Sequence, residues 1–380
     1  MAAVHSSAMT SVFLPTLHQE LLLKTCLFEG EDAQAAWQAW RAEINLDCVD
    51  TSSLRLLPLL ADKLQCLGVK DPAFRKYRGF ERRTWVHNHL LFLAAGIALR
   101  RLRAAQVPAM TLKGAVLAST YYKTMSLRPM NDLDLMVRPV DGFKALDLLE
   151  GLGWRAKPGQ LRPRTPIEFV VRAACALEHP ANPEVQIILN WRLFWARLSE
   201  EAEIALWERA VWFEISGAEC LAPCAADMLL HVCAEGAAWT EVPQVQWIVD
   251  AAFLVRSDTV DWTYFCVQAE RLGLSLPLAE TLNYLRTVMR VPVPDTVVRK
   301  LTKIYVRPIE QLIYESMLQP PGQMNVATAF RIHRHIAQRG LKHLQGPSGY
   351  WRYFVALRRG RSFPELARWL RRRLAQSVNS

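Results

Sequence analysis

The sequence lacks a segment long enough to cross a membrane. Its longest apolar run, Leu90–Leu99, has ten residues, whereas a transmembrane helix needs about 20. Arg100 and Arg101 end the run, so we expect it to be a buried part of a helix. The first residues also lack the basic start, apolar stretch and cleavage site of a secretory signal. We therefore expect a cytoplasmic protein.

Cysteine pairs at regular short spacing are absent as well. Cys220 and Cys224 come nearest to a metal-binding pair, but no second Cys or His pair follows them at ligand spacing. We therefore interpret the cysteines as reduced core thiols and predict no zinc site. The eight cysteines are scattered along the chain, at positions 26, 48, 66, 175, 220, 224, 233 and 266.

Most of the chain lacks an excess of either charge. The net charge of the 380 residues is +10, but residues 331–380 alone carry +11 and residues 1–330 carry −1. A neutral body argues against a long nucleic-acid track. With 51% hydrophobic residues, the chain can form two or three compact units, each with its own core.

Apolar periodicity predicts how helices and strands alternate. Residues 1–103 have helical spacing and predict an N-terminal helical layer. Residues 104–198 predict an alternation of strands and helices, and residues 199–330 a wholly helical region. The basic tail is 331–380. The predicted strands are Gln106–Leu112, Asp132–Val137 and Val185–Leu189, and a helix from Lys113 to about Tyr122 follows the first of them.

Two acidic residues, Asp132 and Asp134, are the best candidates for chemistry. They are two positions apart on a predicted strand, so their side chains share one face, and Leu133 and Leu135 lie on the other. Two neighbouring carboxylates repel each other unless a cation lies between them. Mg²⁺ prefers oxygen ligands and keeps positions open for triphosphate oxygens. The alternative is that the two aspartates lie on a solvent-exposed strand face and bind no metal.

Three further residues around this strand could bind phosphate. Gly114 stands where a strand passes into a helix, and there glycine lets an anion approach the free N–H groups of the helix start. Lys113 adds a positive charge at the same turn. Arg128 either clamps a phosphate or orders the acidic strand, although an isolated arginine is more often an ion-pairing or surface residue.

Taken together, Leu112-Lys113-Gly114 and the segment RPMNDLDLMV, residues 128–137, resemble the uncharacterised bacterial nucleotidyltransferase family of the minimal, polymerase-β-like superfamily. The likeness covers roughly three quarters of the chain by pattern. It implies an α+β fold in which 104–198 form a small mixed sheet flanked by helices. The downstream segments that share the likeness are Pro223–His231, Trp247–Asp250 and Val260–Trp262.

The resemblance also implies an activity. Asp132 and Asp134 would bind Mg²⁺ and a nucleoside triphosphate, with ATP as the expected donor, while Lys113, Gly114 and Arg128 would hold the phosphates. The expected reaction transfers a nucleotidyl group to a small molecule, a sugar or a peptide, within a specialised biosynthetic pathway. An acceptor oxygen would attack the α-phosphorus in line and pyrophosphate would leave.

The sequence departs from the family at one place. The superfamily usually adds a third carboxylate, and the family's acid-x-His-Trp-Arg pattern is replaced here by Ile188-Leu189-Asn190-Trp191-Arg192. Glu184 or Asn190 could substitute, but Glu184 lies about 13 Å too early along the strand. A degenerate module that binds nucleotide or a partner without turnover is therefore the second hypothesis. Modification of nucleic-acid ends ranks third.

Other conspicuous residues have simpler interpretations. His231 lies in an apolar helical run and is predicted to be a packing residue, and His179 stays unassigned. Asp250 and Asp261 are expected to cap helices or pair with bases. Residues 362–376 predict a basic amphipathic helix that docks on an acidic partner or an anionic surface, or that packs on its own domain with a solvated basic face.

Overall fold

The computed structural model describes residues 12–194, 199–320, 323–340, 352–353 and 355–357. The basic amphipathic helix predicted at 362–376 lies outside these ranges. Within them, none of the helices combines the length and the apolar character that crossing a membrane requires.

The N-terminal part is helical, as the apolar spacing predicts. Thr16 begins the first helix with a capping box, in which its side chain accepts from the Gln19 backbone and the Gln19 side chain accepts in return. Asp50 caps the short third helix. The helices are α1 (Leu17–Leu27), α2 (Gly30–Glu43), α3 (Thr51–Leu54), α4 (Leu57–Cys66) and α5 (Phe74–Ala104).

A mixed seven-stranded sheet follows, which confirms the expected α+β class. Its order is β3-β4-β5-β2-β1-β7-β6. The pairs β2/β5 and β1/β7 are parallel, and the remaining neighbours are antiparallel. The strands are β1 (Ala109–Thr111), β2 (Leu133–Val137), β3 (Arg155–Ala156), β4 (Ala174–His179), β5 (Asn182–Asn190), β6 (Val211–Ile215) and β7 (Ala218–Ala222).

The other helices connect the strands or follow them. Those within the sheet region are α6 (Lys113–Thr120), α7 (Gly142–Gly151), α8 (Glu168–Val171) and α9 (Glu200–Glu208), with short 3₁₀ turns at Met125–Leu127 and Pro139–Asp141. Those after the sheet are α10 (Ala225–Gly236), α11 (Gln246–Arg256), α12 (Trp262–Arg271), α13 (Ser275–Thr287), α14 (Asp295–Lys303), α15 (Pro308–Met317) and α16 (Val326–Gly340).

The prediction that residues 199–330 are wholly helical is wrong. The hairpin β6–β7 extends the sheet, and β7 pairs in parallel with β1 through Leu221 and Met110. Ser216 and Gly217 form its turn with positive φ values of 48° and 70°, the conformation whose twist suits a two-residue hairpin. The Ser-Gly dipeptide was the local signal for this turn.

Two main hydrophobic clusters hold the fold together. One joins the N-terminal helices to the helices that follow the sheet, through residues such as Leu60 and Leu229. The other lies between α5, α7 and one sheet face, where Leu133 and Leu135 are fully buried. Chain segments far apart in the sequence therefore meet around the sheet.

The expectation that the run Leu90–Leu99 is buried is wrong for one face of α5. Leu91 and Leu99 are buried against the sheet, but Leu90, Leu93 and Ile97 are exposed. Successive residues of a helix point in different directions, so a continuous apolar run on a helix that is covered on one side cannot be wholly buried.

Candidate functional site

The acidic pair lies at the beginning of a central strand. Asp134 is in β2 and faces away from the layer of α5 and α7, since its neighbours Leu133 and Leu135 are buried on that side. Asp132 directly precedes the strand, and both aspartates are partly exposed. The predicted strand is confirmed, and two carboxylates lie at the start of one of the inner strands.

The electrostatics of the pair suit a cation. Burial and repulsion by Asp134 raise the pKa of Asp132, while Lys113 and Arg55 oppose the rise. The carboxylate charge is therefore not fully compensated by the protein. A hard divalent cation would remove the repulsion and accept oxygen ligands from both residues, so the donor set fits Mg²⁺.

Lys113 is placed beside the acidic pair by the turn between β1 and α6. The Leu112 amide donates to the backbone oxygen of Asp134 at 2.9 Å and ties this turn to β2. The Lys113 ammonium lies 2.8 Å from Oε1 of Glu235 and 3.9 Å from Oδ2 of Asp134. Burial works against its protonation, but the two carboxylates outweigh burial and raise the pKa of Lys113. Lys113 is therefore a charged ammonium group held beside the acidic pair.

Gly114 is closely packed at the start of α6. A Cβ atom there would lie 2.8 Å from Nη1 of Arg128 and 2.9 Å from Sδ of Met130. Real Cβ atoms essentially never come that close, so any side chain would displace its neighbours. The glycine thus has a structural reason as well as the predicted one of leaving room for phosphate.

Arg128 is committed to a buried ion pair. Its Nε and Nη2 donate to the two carboxylate oxygens of Asp250 at 2.8 and 2.7 Å, and the Tyr122 hydroxyl donates to the same carboxylate at 2.7 Å. Burial opposes the charge of Arg128, but Asp250 outweighs it and raises the arginine pKa. This geometry favours the interpretation that Arg128 orders the segment leading to Asp132 over a phosphate clamp.

Asp250 and Asp261 have the structural roles that the sequence predicts. Asp250 neutralises Arg128. Asp261 begins α12, where its side chain accepts from the Tyr264 amide at 3.0 Å. His179 lies at the end of β4, where its Nε2 donates to the Leu152 carbonyl oxygen at 3.2 Å and its Nδ1 accepts from the Ala181 amide at 3.3 Å. None of these three described side chains contacts the acidic pair in this structure.

Glu235 reaches the site from α10, although the sequence did not indicate it as a site residue. Its carboxylate contacts both Lys113 and His231, whose Nε2 lies 3.1 Å from Oε1. Partial burial works against ionisation, but His231 and Lys113 outweigh it and lower the pKa of Glu235. His231 is buried and packs edge-on against Phe194, as a packing histidine should. It also forms part of a chain of contacts that ends at Lys113.

Arg55 is the second residue that sequence reasoning missed. It donates to Oδ1 of Asn131 at 3.0 Å and to the Pro129 carbonyl at 2.8 Å. Burial and the charge of Arg128 lower the pKa of Arg55, and the carboxylates of Asp250 and Asp132 oppose that shift. Arg55 therefore holds the loop before Asp132 and adds positive potential to it.

The place of the third carboxylate is occupied by uncharged residues. Ile188 is paired with Asp134 across the parallel strands β2 and β5. Asn190 follows on the same face, and its Nδ2 donates to Oδ1 of Asp134 at 3.1 Å. Asn190 can orient Asp134, but its amide adds no negative charge. Among the residues described, no three His, Cys, Asp or Glu side chains are grouped so that they could hold a metal.

Glu184, the other substitute considered for the third acid, lies elsewhere. It is near the beginning of β5, where its charge acts on His87 of α5. The registered partner of Asp134 is Ile188, four residues further along the strand. Glu184 therefore lies too early along β5, as the strand pitch predicts, and it does not replace the third carboxylate.

Comparison with known proteins identifies the family to which the chain belongs. A family model described as an uncharacterised nucleotidyltransferase matches residues 51–290. This range is more than half of the chain, and it contains Arg55, Lys113, both aspartates and Glu235. No curated protein matches the chain.

Proposed function

The chain belongs to the uncharacterised nucleotidyltransferase family, and we propose that it transfers a nucleotidyl group from a nucleoside triphosphate, with Mg²⁺ as cofactor, to an acceptor oxygen. The observation that carries this proposal is the acidic pair Asp132 and Asp134 at the start of β2, in which burial and Asp134 raise the pKa of Asp132, with Lys113 beside it. Small molecules, sugars and peptides are the acceptor classes in question, and ATP is the first donor to test.

Each residue of the site has a defined task in this proposal. Mg²⁺ bound to Asp132 and Asp134 would neutralise phosphate oxygens and the charge that develops on the leaving pyrophosphate. Lys113 would exchange its contact with Glu235 for a triphosphate oxygen. The amides at the start of α6, including that of Gly114, would donate to the same phosphates.

The remaining residues position these groups. Arg128 and Arg55 fix the segment 128–132 through Asp250 and through the Pro129 and Asn131 oxygens. Asn190 holds one oxygen of Asp134. The acceptor oxygen would attack the α-phosphorus in line with the leaving pyrophosphate, so the protein accelerates the reaction mainly by positioning and electrostatic stabilisation.

A second candidate function is a nucleotide-binding module without turnover. Ile188 and Asn190 favour it, because the structure has no acid opposite Asp134 on β5. The two candidates share nucleotide binding and differ in whether the α-phosphorus is attacked.

The thermal midpoint of the purified protein tests the shared part. We expect one of ATP, GTP, CTP and UTP to raise the midpoint only with Mg²⁺, because a ligand that binds the native state stabilises it. Asp132→Asn and Asp134→Asn should abolish this rise. Asp147→Asn, on the exposed part of α7, is the matched control and should retain it. No shift with any nucleotide would contradict both candidates.

Release of pyrophosphate separates the two candidates. We expect water to act as a slow substitute acceptor, so the wild type should release pyrophosphate from the nucleotide that stabilises it. Asp134→Asn should release none above background. Binding without any release, across a panel of acceptor alcohols, would favour the module.

A further inference from the structure

An apolar stripe runs along the outer face of α5. It consists of Val86, Leu90, Leu93 and Ile97, with Trp85 beside its first turn, and these side chains are 38 to 59% exposed. The four aliphatic residues are spaced by four, three and four positions, which is the spacing of the seam between two paired helices. The stripe is about 17 Å long at 1.5 Å per residue, and the opposite face of α5 is already buried against the sheet.

Positive charges lie at both ends of this stripe. Arg82 and Arg83 precede it and Arg100 and Arg101 follow it, and all four are exposed. The whole of α5 has eight Lys and Arg residues and one acid, Glu81. A second copy of α5 would bring arginines against arginines in either orientation. The basic segment 362–376 would add more positive charge. An acidic helix is the partner whose charges complement the stripe.

A cavity lies beside the stripe and reaches the loop before Asp132. It has a volume of about 630 Å³, and Val86 and Leu90 of the stripe form part of its wall. Arg55 and Asn131 form another part. Asn131 directly precedes Asp132, and Arg55 acts electrostatically on that carboxylate. Neither Asp132 nor Asp134 lines this cavity, so a ligand on the stripe can extend into it as far as the loop that precedes the acidic pair.

We propose that the apolar stripe of α5 docks an acidic amphipathic helix of a partner protein, next to the cavity beside Asn131. The apolar residues of the partner cover Leu90, Leu93 and Ile97, and its carboxylates lie near the arginines at the two ends. This docking does not rest on the proposed transferase function.

A synthetic helix tests the docking. The probe is a labelled three-heptad peptide with leucine at positions a and d and glutamate at e and g, and its counterpart has lysine at e and g. Fluorescence polarisation with the full-length protein should show binding of the acidic peptide and weaker binding at higher salt, and no binding of the basic one. Leu93→Asp should weaken binding at least tenfold, about 1.4 kcal/mol.

Matched variants separate a lost surface from a lost fold. Leu17→Asp changes the same residue type at a similarly exposed position of α1, and it should leave peptide binding unchanged. Asp132→Asn should also leave it unchanged, whereas Leu93→Asp should keep the midpoint shift with nucleotide and Mg²⁺. Peptide binding without any nucleotide effect would keep the docking site and contradict only the transferase.

Four results would overturn the proposal. They are failure of the acidic peptide to bind, equal binding of both peptides, and binding that survives Leu93→Asp. The fourth is a different occupant: a dimer in sedimentation, or binding to anionic phosphatidylserine vesicles without binding to the peptide, with either signal removed by Leu93→Asp.

Discussion

The buried carboxylate of Asp250 and the partly exposed carboxylates of Asp132 and Asp134 lie in the same region but have opposite environments. Both oxygens of Asp250 accept from Arg128, and Tyr122 adds a further hydrogen bond. Asp132 is left with a raised pKa because burial and Asp134 outweigh Lys113 and Arg55. Asp250 is thus compensated inside the fold and Asp132 is not, and this difference underlies the proposal that the acidic pair binds a cation.

The largest expected effect follows from removing one partner of the buried ion pair between Arg128 and Asp250. Asp250→Asn leaves Arg128 buried without its counter-charge and should lower the free energy of unfolding by about 3 to 5 kcal/mol, measured by urea denaturation. The double variant Arg128→Met with Asp250→Leu should recover much of this loss, because it removes both charges. A nearly unchanged stability together with lost nucleotide binding would make Arg128 a phosphate ligand instead.

The next effect concerns Gly114, which lies between the Arg128–Asp250 ion pair and the acidic pair. Gly114→Ala places a Cβ against Arg128 and Met130 and should cost about 1 to 3 kcal/mol through overpacking. Adding Met130→Ala gives the new methyl group room and should restore part of the stability. If Gly114→Ala proved neutral in the same denaturation experiment, the close packing described for this turn would be wrong.

A smaller effect is expected when the positive charge of Lys113, beside the acidic pair, is removed. Lys113→Met keeps the length of the side chain but removes the charge, and it should weaken binding of the Mg²⁺ nucleotide about tenfold, as for one lost contact between charged groups. Calorimetric titration measures this affinity. Lys144→Met, at an exposed lysine of α7, is the control. Equal affinities for Lys113→Met and wild type would remove Lys113 from the phosphate site.

The smallest effect has the opposite sign. Asp132→Asn should raise the midpoint of the nucleotide-free protein slightly, because the ionised carboxyl destabilises the folded state when its pKa is raised. Protonation removes this cost, so the advantage of the variant should shrink as pH falls from neutrality towards the ordinary value of 3.8. A lower midpoint of the variant at neutral pH would show that the carboxyl is compensated after all.

The sequence alone predicts the elements around the acidic pair well. Alternation of Asp132, Leu133, Asp134 and Leu135 defines β2, and the turn at Lys113-Gly114 defines the passage from β1 to α6. These signals are local, because side-chain alternation and turn residues act over a few positions. The missed hairpin β6–β7 is short, and its pairing with β1 joins residues about 110 positions apart.

Partners of side chains are much harder to predict than strands. Arg128 meets Asp250 and Lys113 meets Glu235, each across 122 positions of sequence. No spacing rule identifies such pairs, because they arise only when α10 and α11 pack beside the sheet. Arg55 and Glu235 were missed for the same reason. The exposed face of α5 was missed because a continuous apolar run gives no indication of which side is covered.

Binding of Mn²⁺, followed by electron paramagnetic resonance, tests the central claim most directly, since Mn²⁺ accepts the same oxygen ligands as Mg²⁺. We expect the wild type to bind Mn²⁺ in the presence of the stabilising nucleotide, Asp132→Asn and Asp134→Asn to lose the bound-metal signal, and Asp147→Asn to keep it. If either site variant binds Mn²⁺ as tightly as the wild type, the acidic pair is not the metal site.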